Sequence, residues 1–224
     1  MKKIILFLLI IILNTAFSTS YTFAQSKFNL NPVKLDYNFC DLNKFIEPNK
    51  LKYSYCRYSS YVDNLNYILE DFKEFKAASL EDLLKNLDSL PDEVSTKAKI
   101  NASNALNYEY FFKNLSPEKT LIKSTLSKQI NKSFSSFDNF KCEFKKTALN
   151  TNSNWIFLAL KPGGDLYITT SKEISCPVIY KHKIILCLNM DEELYSNKEK
   201  YIDNFFYFVN WQQVDKNYSH QINN

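Results

Sequence analysis

The fold of the second half of the chain can be inferred from residues 155–170, which read WIFLALKPGGDLYITT. Six consecutive apolar residues, Trp155 to Leu160, are typical of a buried strand. Pro162-Gly163-Gly164-Asp165 has the composition of a tight turn, and the alternation from Leu166 to Thr170 indicates a second strand. The stretch therefore predicts an antiparallel hairpin, and the apolar run from Ile184 to Leu188 predicts a third strand.

Helical periodicity precedes and follows these strands. From Lys50 to Phe75, apolar and aromatic residues recur at spacings of three and four, which predicts one buried face of a long helix. Ser79 and Asp82 form a capping-box pattern at the start of a short helix, and a further long helix is predicted from Lys97 to Lys113. Other helices are predicted around residues 117–131 and 136–149 and from Lys198 to Trp211, and Gln25 to Pro48 is predicted as an extended arm. The predicted class is α+β: an amino-terminal α-helical hairpin followed by an α/β domain with a three-stranded antiparallel sheet.

The first residues have the composition of a secretory signal peptide. Lys2 and Lys3 precede an apolar run from Ile4 to Leu13, and a cleavage site of the small-residue type follows at Thr22-Phe23-Ala24. This run is too short to span a bilayer comfortably, so an uncleaved anchor is the lesser alternative.

Three segments are therefore predicted along the chain. Residues 1–24 are the signal peptide, residues 25–115 the helical hairpin domain, and residues 116–224 the α+β carboxy-terminal domain. The protein is expected to be secreted, or to reside in the endomembrane system or periplasm, with no membrane attachment after cleavage.

Composition argues against several functional classes. The formal net charge of +4 falls to +2 without residues 1–24, which hold two lysines and no acid, and this is not the basic excess of a nucleic-acid-binding protein. Gly163 and Gly164 are the only glycines, which argues against a glycine-rich phosphate loop. His182 and His220 are the only histidines and neither lies in a recognisable motif, which argues against a Ser-His or Cys-His hydrolase.

The five cysteines all lie after the predicted cleavage site. They are Cys40, Cys56, Cys142, Cys176 and Cys187. The odd count implies a free thiol or an intermolecular bridge in an oxidising compartment. Cys40 with Cys56 is the expected pair, whereas Cys142 and Cys187 are expected to be buried as small apolar side chains.

Short motifs along residues 28–214 occur in an order that resembles one metalloenzyme family. They are Tyr61-Val62-Asp63-Asn64-Leu65-Asn66, Asn101 to Asn107, Phe134 to Lys141, Asn154-Trp155 and Val209-Asn210-Trp211. Their order and spacing resemble the iron/manganese superoxide dismutases. The resemblance implies the fold predicted above, and a family member would dismutate superoxide on a single iron or manganese ion.

None of the family's four metal-ligand positions holds the family's residue. By the resemblance, the three histidines and the aspartate fall on Tyr53, Tyr108, Glu193 and Asn189. A shifted alignment cannot restore three histidines, because the whole chain has two. Phenol and carboxamide groups do not reproduce the ligand field of imidazole and carboxylate.

The resemblance also assigns the residues around the metal. Tyr61 occupies the position of the family's gateway tyrosine, and Trp155 that of a pocket tryptophan. Asn104 stands where iron enzymes carry a glutamine, one methylene longer. Leu106, Phe112, Phe157 and Asp191 replace tryptophans, so the pocket is expected to be repacked.

The family's usual dimer is also not expected here. Glu192 matches a glutamate that pairs, across the dimer interface, with a ligand histidine of the other subunit. In this chain the partner position holds Glu193, so one carboxylate would face another. The resemblance therefore argues against a family-type homodimer.

The sequence thus supports two functional hypotheses. The first is a secreted superoxide dismutase-like protein that is catalytically inactive, requires no cofactor, and has a binding or structural role with an unknown protein partner. In it, Tyr53 and Tyr108 fill the pocket and hydrogen-bond Asn189 or Glu193. The alternative is an active iron/manganese-type superoxide dismutase, or a ferric-iron-binding protein, that uses these four residues as hard oxygen ligands.

Overall fold

The computed structural model describes residues 29–72, 74–172 and 175–222. The predicted signal peptide and the maturation site near Gln25 lie outside the described residues. The helices are α1 Pro48–Ile68, α2 Leu80–Lys85, α3 Asp92–Lys113, α4 Ser124–Phe134, α5 Phe137–Asn150, α6 Lys198–Phe205 and α7 Trp211–Ile222. The strands are β1 Trp155–Leu160, β2 Leu166–Ser171 and β3 Lys183–Asn189. Short 3₁₀ turns span Phe39–Leu42, Leu87–Ser89, Pro177–Tyr180 and Glu192–Leu194.

The three strands form one antiparallel sheet with β1 in the centre, in the order β2-β1-β3. All six residues of β1 are buried, as are six of the seven residues of β3, which explains why both strands are continuous apolar runs. Trp155 lies opposite Ser171 on one side and Asn189 on the other. The predicted α+β class and three-stranded sheet are confirmed, and the sheet places the start of β1 next to the end of β3.

The two long helices pack against each other, and α3 also packs on β3. The buried face of α1 consists of Leu51, Ser54, Tyr58, Val62 and Leu65. Between the long helices, the Ser79 hydroxyl accepts a hydrogen bond from the backbone N–H of Asp82 at 3.1 Å, as the capping-box pattern predicts. Helix α3 begins at Asp92, five residues before the predicted start, because Pro91 precedes two acids that suit a helix amino terminus. None of the described helices has both the length and the apolarity that crossing a membrane would need.

The single closing helix predicted from Lys198 to Trp211 is wrong. Helix α6 ends at Phe205, and the chain then pairs with the segment after α3 through a bridge between Leu115 and Val209. Asn210 donates its backbone N–H to the carbonyl of Asn114 at 2.8 Å. Its side-chain Oδ1 accepts from the N–H of Gln213 at 3.1 Å, so Asn210 acts as the cap of a new helix, α7.

The cysteine predictions hold for only one residue. All five cysteines are free, and Cys40 and Cys56 are both exposed. The expected bridge between them is therefore not formed, because Cys56 lies outside the buried face of α1. Cys187 is buried as predicted, whereas Cys142 is exposed on α5 and the prediction for it is wrong.

Candidate functional site

Four of the predicted pocket residues meet where α1, α3 and the sheet come together. Tyr108 of α3 is 2% exposed, and its ring packs edge-on against Trp155 of β1 at 4.8 Å between centroids. Tyr61 of α1 stacks on the Tyr108 ring at 6.0 Å between centroids. Asn189, at the end of β3, is fully buried beside the Tyr108 hydroxyl. We call Tyr61, Tyr108, Trp155 and Asn189 the tyrosine pocket.

An ion pair between Arg57 and Asp191 lies against the tyrosine pocket. Nη1 of Arg57 is 2.6 Å from Oδ2 of Asp191, and the two side chains are 27% and 16% exposed. Arg57 also hydrogen-bonds Tyr61. The guanidinium therefore joins α1 to the segment that follows β3, across 134 residues of sequence.

The Asp191 carboxylate accepts hydrogen bonds from two further side chains. The amide Nδ2 of Asn154 donates to Oδ1 at 3.1 Å, and the hydroxyl of Tyr108 lies 3.4 Å from Oδ2. Hydrogen bonds to an ionised carboxylate are stronger than those between neutral groups. Asp191 is therefore the centre of a polar network that draws on α1, α3 and the start of β1.

Electrostatics keeps Arg57 charged and Tyr108 neutral. Burial opposes the charge on Arg57, but the neighbouring acidic groups, of which Asp191 is the one ionised at neutral pH, outweigh this and raise the pKa of the guanidinium. Burial is also the main cause that raises the pKa of the Tyr108 phenol, and the negative charge of Asp191 raises it further. At neutral pH Tyr108 is consequently a hydrogen-bond donor and not a phenolate.

The two predicted amide residues use their polar groups within the protein. Oδ1 of Asn189 accepts from the backbone N–H of Asp191 at 2.9 Å. Its buried Nδ2 lies close enough to Tyr108 to influence the phenol pKa, but makes no hydrogen bond of normal geometry within the described residues. Nδ2 of Asn104 donates to the carbonyl of Ile100, one turn back along α3, at 3.0 Å. The Asn189 oxygen is therefore engaged, whereas its Nδ2, which is a donor and not a metal ligand, has no hydrogen-bond partner among the described residues.

The predicted convergence of Tyr53, Tyr108, Asn189 and Glu193 is wrong for two of the four. Tyr53 is 54% exposed, because the buried face of α1 passes through Ser54 and the adjacent residue lies about 100° around the helix. Glu193 is exposed in the turn Glu192–Leu194, where Leu194 is the buried member. Tyr108 and Asn189 meet, but Tyr53 does not fill the tyrosine pocket.

The residues present do not fit a mononuclear iron or manganese ion. Of the four ligand positions only Tyr108 and Asn189 are buried, the Asn189 oxygen already accepts a hydrogen bond, and the Arg57 cation beside Tyr108 would repel a metal cation. Across residues 29–72, 74–172 and 175–222, no group of three or more His, Cys, Asp or Glu side chains is placed to hold a metal ion.

Sequence reasoning missed Arg57 and misjudged Asp191. By the resemblance, Asp191 is only a replacement for a tryptophan. A signal for Arg57 existed, since it is the one arginine among the 28 lysines and arginines of the chain. Arginine is preferred over lysine where a carboxylate is bound out of full solvent contact.

A comparison with known families matches the carboxy-terminal part of the chain. The model for iron/manganese superoxide dismutases, C-terminal domain, matches residues 122–217. This segment contains the complete sheet and helices α4 to α6, together with Trp155, Asn189 and Asp191. The residues that α1 and α3 contribute to the tyrosine pocket lie before the matched segment.

Proposed function

Because residues 122–217 of this chain belong to the iron/manganese superoxide dismutase family, we propose that the protein is a catalytically inactive member with a binding or structural role. The observation that carries the proposal is the Arg57–Asp191 ion pair beside the tyrosine pocket. Superoxide dismutation in this family requires a redox-active metal, and metal affinity depends on deprotonated donors that converge on one point. Here two of the four ligand positions face solvent, and the Arg57 cation lies beside a third, Tyr108.

The ion pair helps to hold together the parts of the chain that meet at the tyrosine pocket. A metal held by the family's four positions would join α1, α3 and the segment after β3. Arg57 joins α1 to that same segment, and the Tyr108 hydroxyl joins α3 to it through Asp191. The network thus connects the same three parts of the chain with hydrogen bonds.

Location and assembly are part of the same proposal. The protein acts after export from the cytosol, since its first residues have signal-peptide composition. It does not form the family-type homodimer, because Glu192 and Glu193 are both exposed acids at the position of the family's cross-subunit contact. Finding intact Met1 on cytosolic protein would contradict the export proposal.

The alternative of an active dismutase, or of a ferric site with phenolate and carboxylate ligands, is not favoured by the geometry. Such a site needs Tyr53 and Glu193 to turn inward from exposed positions. It would also have to accommodate the Arg57 cation, which lies beside Tyr108 and is paired with Asp191.

A dismutation assay tests the proposal. The mature chain is incubated with iron and, separately, with manganese, and superoxide decay is compared with that of the same metal in buffer. We expect no turnover above this free-metal background. An Asn189→Ala variant is the matched control. Robust metal-dependent turnover that disappears in Asn189→Ala would overturn the proposal and identify Asn189 as a ligand.

A further inference from the structure

A separate cleft of about 590 Å³ lies between α2, α3 and the turn Pro177–Tyr180 that leads into β3. Its apolar lining comes from Leu84, Leu87, Val178 and Ile179. Its volume is within the range of roughly 300–1,000 Å³ that is usual for small-molecule sites. None of the tyrosine-pocket residues lines it, so this cleft can be tested independently of the proposed loss of metal.

Basic side chains surround the apolar lining. They are Lys85, Lys99, Lys181, His182 and Lys183, and we call the whole feature the lysine cleft. Within the described part of the chain, Lys85, Lys99 and Lys181 are exposed and make no ion pair. Their charge is therefore directed at solvent and at whatever enters the cleft.

The two acids of the lysine cleft do not neutralise this charge. The carboxylate of Glu81 accepts a hydrogen bond from the buried hydroxyl of Tyr110 and is thereby turned towards α3. Asp88 is the other acid, and it is exposed. The lining therefore carries more positive than negative charge over an apolar floor.

The backbone at Lys181 is a second, independent observation. Lys181 has φ of 60°, and it is one of two non-glycine residues with positive φ among the described residues. This left-handed conformation makes Lys181 the carboxy-terminal cap of the turn Pro177–Tyr180. It is held there by hydrogen bonds from its N–H to the carbonyls of Pro177 and Val178. The backbone position of Lys181 beside the cleft is therefore fixed by the turn.

We propose that the lysine cleft binds a single-chain anionic amphiphile, that is, a carboxylate with an unbranched apolar tail. The tail lies on Leu84, Leu87, Val178 and Ile179, which provide a surface that water solvates poorly. The head group pairs with Lys99 and Lys181 at the rim, where ionised groups form charge-assisted hydrogen bonds. The two features together select for an ion that has both a charge and a tail.

Calorimetric titration of the full mature chain with dodecanoate, below the concentration at which it forms micelles, tests the proposal. We expect saturable binding at one site. The double variant Lys99→Glu/Lys181→Glu should bind at least about tenfold more weakly, a loss of about 1.4 kcal/mol. The matched control is Lys146→Glu, which introduces an acid at an exposed position of α5, and its affinity should stay within about twofold of the parent.

Ligand controls separate the two features that the lysine cleft recognises. Propionate, which lacks the tail, and dodecyltrimethylammonium, which reverses the charge, should each bind at least about tenfold more weakly than dodecanoate. Unfolding midpoints of the variants show that they remain folded. The proposal is overturned by absence of saturable binding, by equal weakening in Lys146→Glu, or by equal affinity for the reversed charge. Tighter binding of an acidic peptide than of dodecanoate would also overturn it, in favour of a protein-docking surface.

Discussion

The three-stranded sheet and the tyrosine pocket beside it are held together by different forces. In β1 and β3 nearly every side chain is apolar and buried, so the sheet is stabilised by non-directional removal of apolar surface from water. The pocket depends on directional contacts, with three side chains converging on the carboxylate of Asp191. The two regions share Trp155 and Asn189 at their boundary.

The two kinds of contact differ in how much sequence change they tolerate. Apolar packing tolerates many substitutions if volume and pattern are kept, and the sheet lies within the segment that matches the family model. A metal site is lost when its donors are lost, because each donor contributes a specific geometry. In this chain the polar contacts to Asp191 join α1, α3 and the segment after β3.

The largest predicted effect lies in the sheet. Replacing Phe157, which is fully buried in the central strand, by alanine should lower the free energy of unfolding by about 4 kcal/mol, through lost burial and the cavity left behind. Tyr67→Ala, at a position 79% exposed on α1, is the control and should change stability by less than about 0.5 kcal/mol. Chemical denaturation measures both. Equal effects would mean that the sheet is not the core.

The next prediction compares two tyrosines that the family resemblance treats alike. Tyr108→Ala should cost about 3 kcal/mol, because it removes a ring that is 2% exposed and packed against Trp155. Tyr53→Ala should cost less than about 0.5 kcal/mol, since that side chain is 54% exposed. A cost for Tyr53→Ala similar to that for Tyr108→Ala would show that Tyr53 does enter the pocket.

The ion pair should contribute less than the aromatic packing. Its side chains are only partly exposed, so Arg57→Ala should cost about 2 kcal/mol, between the values typical of surface and buried pairs. A double-mutant cycle with Asp191→Ala isolates the pair, and we expect a coupling free energy of about 1 kcal/mol. If the effects of the two single variants are additive, the ion pair does not contribute to stability.

The smallest prediction concerns alkaline pH. Burial raises the pKa of Tyr108 above its ordinary value of 10.0. The unfolded chain therefore releases this proton first, and stability falls as pH rises above 10. Between pH 10 and 11, Tyr108→Phe should lose about 1 kcal/mol less stability than the parent. Identical pH profiles would show that the phenol is not desolvated.

The sequence pattern within an element was enough to predict those elements that depend on local hydrogen bonds or on apolar burial alone. The bounds of β1 were predicted to the residue, because a continuous apolar run has only one way to be buried on both faces of a sheet. The amino terminus of α2 followed from Ser79 and Asp82: the Ser79 hydroxyl accepts the backbone N–H of Asp82, and the Asp82 carboxylate accepts the backbone N–H of Ala78.

The predictions were wrong where contacts between segments distant in sequence determine the structure. The break between α6 and α7 depends on backbone pairing with Asn114, which no pattern near Phe205 reveals. The family resemblance placed Tyr53 at a ligand position, but the rotation of α1 is set by which residues pack on α3. The Arg57–Asp191 contact joins residues from opposite halves of the chain, so neither neighbourhood alone predicts it.

Metal content tests the central claim that the Arg57–Asp191 network has replaced the metal. The purified mature chain is incubated with excess iron or manganese, freed of unbound ions by gel filtration, and analysed by elemental spectrometry beside the Asn189→Ala variant. The account predicts far less than one metal ion per chain, with no difference between the two proteins. One iron or manganese ion per chain in the parent, lost in Asn189→Ala, would contradict it.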